Sequence, residues 1–487
     1  MIGICAAGCR AECLPPKRLL SFHRHRHAVA RAEGKRCGQP ARCLSLRTLA
    51  EDHADAVANP VRVRSSFHRA LRGLDALNFC LADVRDGLGP YLAIYLIAVR
   101  GPDQGWNEAT TGLVMTIAGI AGLIAQTPAG ALIDRTNNKP AIVIAGALAV
   151  TLSCLALPFI GNFYLVAATQ SIAGIAGAIF PPALAAITLG LVGPRMFSKR
   201  IGRNEAFNHL GNAVSAAIAG GTAYVFGPIV VFWLMAILTA FSIGAMLMVP
   251  RGEIDDEMAR GLARADGHDE KPSGLRALLQ NRHLLLFALI CAVFRLSNAA
   301  MLTSVGQLLT KVVGKEQATS LIALCIVAAQ CVMVPMAIMV GAKVDQWGRK
   351  PIFLLAFGVL ALRGGLYVLS DNPFWLVAVQ ALDGVGAGIF GALFPVIIAD
   401  LTRGTGRFNV SQGAVATAQG LGAALSASLA GIIIVSAGYS AAFLTLAAIA
   451  CLGFVLYVVL MPETKDYAPP TGRSDAPATA ASTGVST

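Results

Sequence analysis

From residue 73 onward the chain is a succession of apolar runs broken by short polar segments. Each run is about 20 residues or longer, the length a helix needs to cross a hydrocarbon layer. The runs cover 76–99, 108–131, 139–159, 163–192, 205–227, 228–249, 283–310, 318–342, 351–370, 373–399, 410–437 and 440–461. Backbone polar groups in lipid must be satisfied within their own segment, and the ten-residue alternation of a membrane barrel is absent, so the runs read as helices. Gly227-Pro228 and Gly438-Tyr439 mark tight turns between the fifth and sixth and the eleventh and twelfth spans. The stretch 251–282, rich in Asp, Glu, Arg and Gly, separates two groups of six. The pattern predicts an all-α membrane protein with twelve transmembrane helices in two six-helix halves, 73–250 and 283–462, joined by a central loop and followed by a disordered tail, 463–487.

Composition agrees with this reading. Of 487 residues, 55% are hydrophobic and 14% charged, with a mean hydropathy of +0.64. An ordinary soluble domain carries about 25% charged residues. The net charge of +12 would suggest a nucleic-acid partner on a soluble protein, but residues 1–72 hold 14 basic and 5 acidic side chains, so most of the excess is an N-terminal tail. That tail has no hydrophobic period and reads as disordered or as the product of a misassigned start. Its run His23-Arg24-His25-Arg26-His27 is a poor metal site, since alternating Arg repels a cation.

Basic residues also orient the spans. Loops after spans 2, 4, 8 and 10 contain eleven Lys or Arg, the opposite loops only Arg100, Lys311 and Lys315, which predicts that both termini and the central loop are cytoplasmic.

An internal repeat lies beneath this topology. Gly130-Ala-Leu-Ile-Asp134-Arg135-Thr-Asn-Asn-Lys139-Pro140 follows span 2, and Gly341-Ala-Lys-Val-Asp345-Gln-Trp-Gly348-Arg349-Lys350-Pro351 follows span 8. Gln170-Ser-Ile-Ala-Gly174 in span 4 matches Gln380-Ala-Leu-Asp383-Gly384 in span 10. The offsets of 211 and 210 residues place each pair at the same point of its half, the arrangement of a parallel repeat.

On these motifs residues 73–462 resemble the major facilitator superfamily, whose loops after spans 2 and 8 carry a G-x-x-x-D-R-x-G-R-[KR] pattern. The second copy matches well; the first has Asn137-Asn138 where Gly-Arg is usual. An acid at a helix end can hold the N-terminus of a neighbouring helix and so latch one conformation. The resemblance accordingly implies a cytoplasmic gate at Gly130, Asp134, Arg135, Lys139, Gly341, Asp345, Gly348, Arg349 and Lys350.

Ionisable groups within spans are costly and mark cavities or partners. In span 1, Asp83 and Asp86 share a face with Arg85 between them, and Pro90 has no N–H for the Asp86 carbonyl. Asp383 lies ten residues into span 10. In the resembled fold spans 1, 4, 7 and 10 line the central cavity. Asp83, Asp86 and Asp383 are therefore the expected proton-coupling groups, and Asn78, Arg85, Gln170, Arg295, Asn298 and Gln380 the expected cavity walls. Arg363 in span 9 reads as a snorkelling anchor. The coupling Arg common in span 4 of proton-driven relatives is replaced by Gln170, and the Gly-Pro of an antiporter motif is lost before Gly220-Gly221.

These features imply no enzyme and no cofactor: the G-x-x-x-x-G-K-[ST] phosphate loop is absent from the chain. They imply a monomeric, proton-coupled exporter of a small molecule in the bacterial plasma membrane, with lipid as its surroundings and no nucleic-acid partner. Symport of a small organic anion or nutrient is the alternative, and a receptor or assembly protein without flux the outlier.

Overall fold

The computed structural model describes residues 60–86, 92, 95–100, 104–227, 229–262 and 280–465. The chain divides into two compact units, Met1–Ser66 and Phe67–Thr487, and the apolar runs all fall in the second. The basic tail before residue 60, with its His run, lies outside the described residues, as do 263–279 of the central loop and the end of the chain from residue 466.

Among the described residues every regular element is helical. They are α1 (Pro60–Asp86), a π-helical turn (Tyr95–Arg100), α2 (Glu108–Arg135), α3 (Lys139–Leu155), α4 (Phe163–Gly177), α5 (Phe180–Phe226), α6 (Val230–Leu247), the short α7 (Asp256–Ala259), α8 (Arg282–Val313), α9 (Lys315–Trp347), α10 (Arg349–Leu366), α11 (Pro373–Ala381), α12 (Asp383–Leu401) and α13 (Phe408–Leu460). Helix starts follow local chemistry. Asn107 and Thr110 close a capping box on α2, and Asn162, Asn281 and Asn372 cap α4, α8 and α11 through their side-chain oxygens.

Among the described residues, eight helical stretches are long and apolar enough to cross a membrane. Two of them, Phe163–Ala223 and Phe408–Leu460, run through kinks; at 1.5 Å per residue each would extend roughly 80 Å or more, over twice a hydrocarbon layer, so each must fold back. The reversals are at Gly193, with φ 69°, and Gly438, with φ 87°. A side chain is strained in that backbone region, and at Gly438 the glycine lets an apolar run turn without a polar loop. The outer surface is apolar: Leu247, Val435 and Val459 are 71, 90 and 71% exposed, which suits lipid rather than water.

Several boundaries differ from the sequence expectation, and the expected span 373–399 is divided between α11 and α12. α1 begins at Pro60, inside the stretch read as tail, and Ala70 in it is fully buried. The expected span 163–192 is broken after Gly177, because Pro181 and Pro182 cannot donate to the Gly177 and Ala178 carbonyls. The expected loop 193–204 is helix from Pro194 onward, and its Ser198 and Arg200 side chains find partners on neighbouring helices.

The described residues form two hydrophobic cores. One runs through α1–α6 and the linker as far as Ala259; the other runs through α8–α13 and takes in part of α5. Leu189, Phe197 and Ile201 of α5 belong to the second core while Ile187 and Leu191 belong to the first, so α5 ties the halves together. The second core is aromatic, with Phe294 and Phe390 stacked at 4.6 Å and Phe353 against Tyr457 at 4.8 Å.

Candidate functional site

The halves meet along two helix pairs, α2 with α13 and α5 with α9. Backbones approach closely at the end that carries the repeated loops, here named the gate pole after the role the resemblance implies for those loops. A Cβ on Gly130 would collide with the Asn409 carbonyl, one on Gly413 with the Gln126 carbonyl, and one on Gly202 with the Gly341 backbone. Thr127 and Thr417 hydroxyls are 3.1 Å apart across the first pair, and His209 Nδ1 is 2.9 Å from Gln330 Oε1 across the second. A Cβ on Gly112, Gly119, Gly221 or Gly431 would meet nothing within 4 Å.

Both halves line a cavity of about 670 Å³. α1 contributes Arg85, α2 Gln126, α4 Gln170, α12 Phe394 and α13 Gln412. The α4–α5 break forms one wall through Gly177, Ala178, Pro181 and Pro182, where the two prolines leave carbonyls without a helical partner. Gln170 Nε2, Gln412 Nε2 and Gln126 Oε1 are buried and make no hydrogen bond within the protein. A buried polar group left unpaired costs about 1–3 kcal/mol, so such a cluster is unusual in a packed wall.

The sequence reading placed Arg85 and Gln170 in this cavity, and both are there. Asn78, Arg295, Asn298 and Gln380 are not among its walls. Asn78 is spent inside α1, donating to the Leu74 carbonyl at 2.7 Å. The side chain of Asp86 lies outside the described residues; Asp83 is half-buried on α1. Gln126 and Gln412 were missed, because neither is charged and both fall on spans the repeat did not single out.

Asn298, Gln380 and Asp383 belong to a second cluster, inside the C-terminal half. Arg363 on α10 is paired with Asp383 and donates to Asn298 Oδ1 and to Met301 Sδ. Gln380 Nε2 donates to Asp383 Oδ2 at 3.2 Å and Gln380 Oε1 accepts from the Tyr367 hydroxyl. Arg295 is electrostatically coupled to Asp383. The snorkelling expectation for Arg363 is wrong: the residue is 1% exposed, drawn inward by a carboxylate that neither hydropathy nor depth reveals. Asp383 occupies the first turn of α12, where the helix N-terminus also favours its charge.

At the gate pole, Asp134 is buried and accepts from the Asn409 side chain at 2.8 Å and from the Asn409 and Val410 backbone N–H groups at 3.3 and 2.9 Å. These are first-turn donors of α13, so the acid of one half holds the helix start of the other. Asp345 faces the opposite way, accepting from Ser198 of α5 at 2.7 Å while paired with Arg349 at 2.9 Å. Arg349 also holds Asp400 at 2.9 Å. Glu463, beyond the last helix, accepts from the Arg349 and Lys350 backbone N–H groups at 2.9 and 3.0 Å. Burial alone would push its carboxyl up, but these and two further backbone donors hold it below the ordinary glutamate value. Arg135 is exposed, and Lys350 donates to the Val458 carbonyl.

The departure at Asn137-Asn138 has a structural counterpart in the central linker. Asn137 takes Arg251 on its carbonyl at 3.2 Å and Arg260 on its side chain, so the linker brings guanidinium groups to the loop that lacks the usual Arg. Lys139, fully buried, pairs with Asp256 at 2.5 Å. On its other side the linker touches the second half: Asn409 Nδ2 donates to the Ala259 carbonyl at 3.0 Å and Gly404 N–H to the Gly261 carbonyl at 2.7 Å. Asp75 of α1, held by Arg200 and Arg203 of α5 at 2.6 and 2.8 Å, was likewise not singled out from the sequence.

The model of the Major Facilitator Superfamily matches residues 76–370 and 317–485. Over 399 residues the chain is 54% identical to an uncharacterized MFS-type transporter of Mycobacterium tuberculosis, in two strains, covering 82% of this chain and 94% of the relative. It is 27% identical over 365 residues to the inner membrane transport protein YajR of Escherichia coli, covering 71% and 74%. Among solved structures, the human organic anion transporter MFSD10 (TETRAN) aligns with a TM-score of 0.56 over 81% of this chain and 98% of that one; at 15% identity the likeness is one of fold.

Proposed function

Because the chain belongs to the major facilitator superfamily, we propose that it is a monomeric secondary transporter which exports a small molecule across the bacterial plasma membrane in exchange for protons. In this reading twelve spans form two halves that rock about the cavity, with both termini and the linker in the cytoplasm. The observation that carries it is a cavity lined by both halves, with the halves in close backbone contact at the pole of the repeated loops. With the basic loops inside, the conformation faces outward, and the Asp134 and Asp345 latches form the closed cytoplasmic gate.

Proton coupling is assigned to Asp383, with Asp83 and Asp86 in the first half. Protonating Asp383 would release Arg363 and loosen the Asn298 and Gln380 contacts, a charge change able to bias one half. The test is reconstitution into proteoliposomes with a pH-sensitive dye inside. Substrate added under an imposed pH gradient should drive proton movement, and Asp383→Asn should uncouple it. Flux indifferent to the gradient and to that substitution overturns the coupling.

Uptake of a small organic anion by symport is the second reading, and Arg85 in the cavity wall favours it. Whole-cell accumulation separates the two: export is overturned if deleting the gene lowers the internal level of the substrate.

A further inference from the structure

The linker between the halves is built into both of them at the gate pole. On the side of the first half, Ile254 and Ala259 are 8% and 0% exposed and belong to the first hydrophobic core. The Asp255 N–H donates to the Gly190 carbonyl at 3.1 Å, and a Cβ on Gly190 would strike the Asp255 carbonyl and Ile254, so the linker lies directly on α5. Asp255 caps the single turn of α7 by accepting from the Glu257 and Met258 N–H groups. Asp256 then meets the fully buried Lys139 at 2.5 Å, and Arg251 and Arg260 donate to Asn137.

Toward the second half the linker presents mainly backbone, with Met258 packed against the second core. Three successive carbonyls, those of Ala259, Arg260 and Gly261, accept from Asn409 Nδ2 at 3.0 Å, the Phe408 N–H at 3.1 Å and the Gly404 N–H at 2.7 Å. Gly261 has φ 81°, and a Cβ there would lie 3.1 Å from the Phe408 Cβ. The same Asn409 Nδ2 also donates to Asp134 at 2.8 Å, so its two hydrogens join the linker to the acid of the first half.

These two seams are unequal. Parting the first separates a buried ion pair and uncovers core side chains, which is costly. Parting the second exchanges three hydrogen bonds for bonds to water and uncovers one Met, which costs less. From this inequality we propose that residues 251–262 are a clasp carried by the first half, which closes the gate pole by holding segment 404–409, and that Asn409 ties its release to that of the Asp134 latch. Opening undocks 404–409 from the three carbonyls while α7 stays on α3 and α5. Lys139 is then a positioning residue, which holds α7 in place through Asp256. The gating role of the clasp rests on the transporter reading; its docking does not.

Hydrogen–deuterium exchange of the full-length protein in lipid nanodiscs reads the seams separately, because the Gly404 and Phe408 N–H groups belong to one and the Asp255 N–H to the other. In Asp134→Ala, exchange at Gly404 and Phe408 rises about tenfold or more, the effect of losing one or two hydrogen bonds, while Asp255 keeps its protection. Gly261→Val, strained at that φ and crowded by Phe408, raises the same two amides with Asp134 left in place. Gly261→Ala gives the same direction with a smaller side chain where the larger one lowers the melting temperature. Added to Gly261→Val, Asp134→Ala raises exchange at Phe408 by a smaller factor than in the native protein, since Asn409 has already lost one partner. Full multiplication of the two factors overturns the Asn409 coupling. Unchanged exchange at Gly404 and Phe408 in either single variant overturns the clasp. So does exchange that rises at Asp255 while those two amides stay protected, since the linker would then travel with the second half. No substrate enters these measurements. Flux that follows a pH gradient without the exchange pattern keeps the transporter and removes the clasp; the exchange pattern without flux does the reverse.

Discussion

Arg363 shows how far a single residue can be read before its partner is known. Its depth within a span suggested a side chain reaching for the lipid headgroups, yet it is buried against Asp383, Asn298 and Met301. The acid lies on another helix, and nothing in the local sequence around Arg363 announces it. Removing one member of such a pair strands the other charge in an apolar core. Arg363→Met should therefore cost about 3–5 kcal/mol, while Arg363→Met with Asp383→Leu should recover most of that loss. Thermal unfolding in detergent checks this; equal melting for the single and double variants would sink it. Glu463 gives a pH dependence. Its carboxyl is held below 4.5, the ordinary value, by backbone donors at the start of α10. The stability it supplies is present above that value and is lost as pH falls through the lower folded value. Between neutral pH and pH 3 the native protein should lose more of its melting temperature than Glu463→Gln does.

At the scale of elements, hydropathy located eight apolar stretches among the described residues, because lipid imposes a length and a composition, and it found the turns at Gly227 and Gly438 because glycine interrupts them. It could not see the break after Gly177, since the run stays apolar on both sides; the signal was the pair Pro181-Pro182. It misread 193–204 as a loop because polar residues were counted without their partners. In the helix that begins at Pro194, Ser198 reaches Asp345 and Arg200 reaches Asp75. Crossings of the helix pairs depend on bare backbone, where Gly413 lies on Gln126 and Gly130 on Asn409. Gly413→Leu should hold α13 off α2 and prop the gate pole open. A cysteine introduced by Ser411→Cys, buried in the native protein, should then react faster with a membrane-impermeant maleimide applied to that pole. Unchanged labelling would show that the crossing tolerates a side chain.

For the whole molecule, the two hydrophobic cores follow the internal repeat, which is legible at long range. The asymmetry between the halves is not. Asp134 and Asn409 are 275 residues apart, and the linker residues that flank them look like an ordinary solvated loop. The two Asp residues of the repeat do different work, one on a helix N-terminus and the other on Ser198 and Arg349. Asp134→Ala removes three bonds to a charged acceptor and should shift the balance toward the open gate by about 3 kcal/mol, or ~100-fold. Spin-label distances across each pole would register this as separation at the gate pole and approach at the other. Asp345→Ala should shift it less, because Arg349 keeps Asp400.

The position of Glu463 also bears on how the protein can be handled. The segment after α13 is fastened to the first turn of α10 beside the Asp345–Arg349 pair, so it is packed into that pole rather than a free handle. A purification tag or fluorescent fusion placed directly after Leu460 would displace that fastening and give a protein that is inserted yet altered in gating. Attached beyond Lys465, the same fusion would leave it in place, and the two tagged forms make a direct pair for comparison.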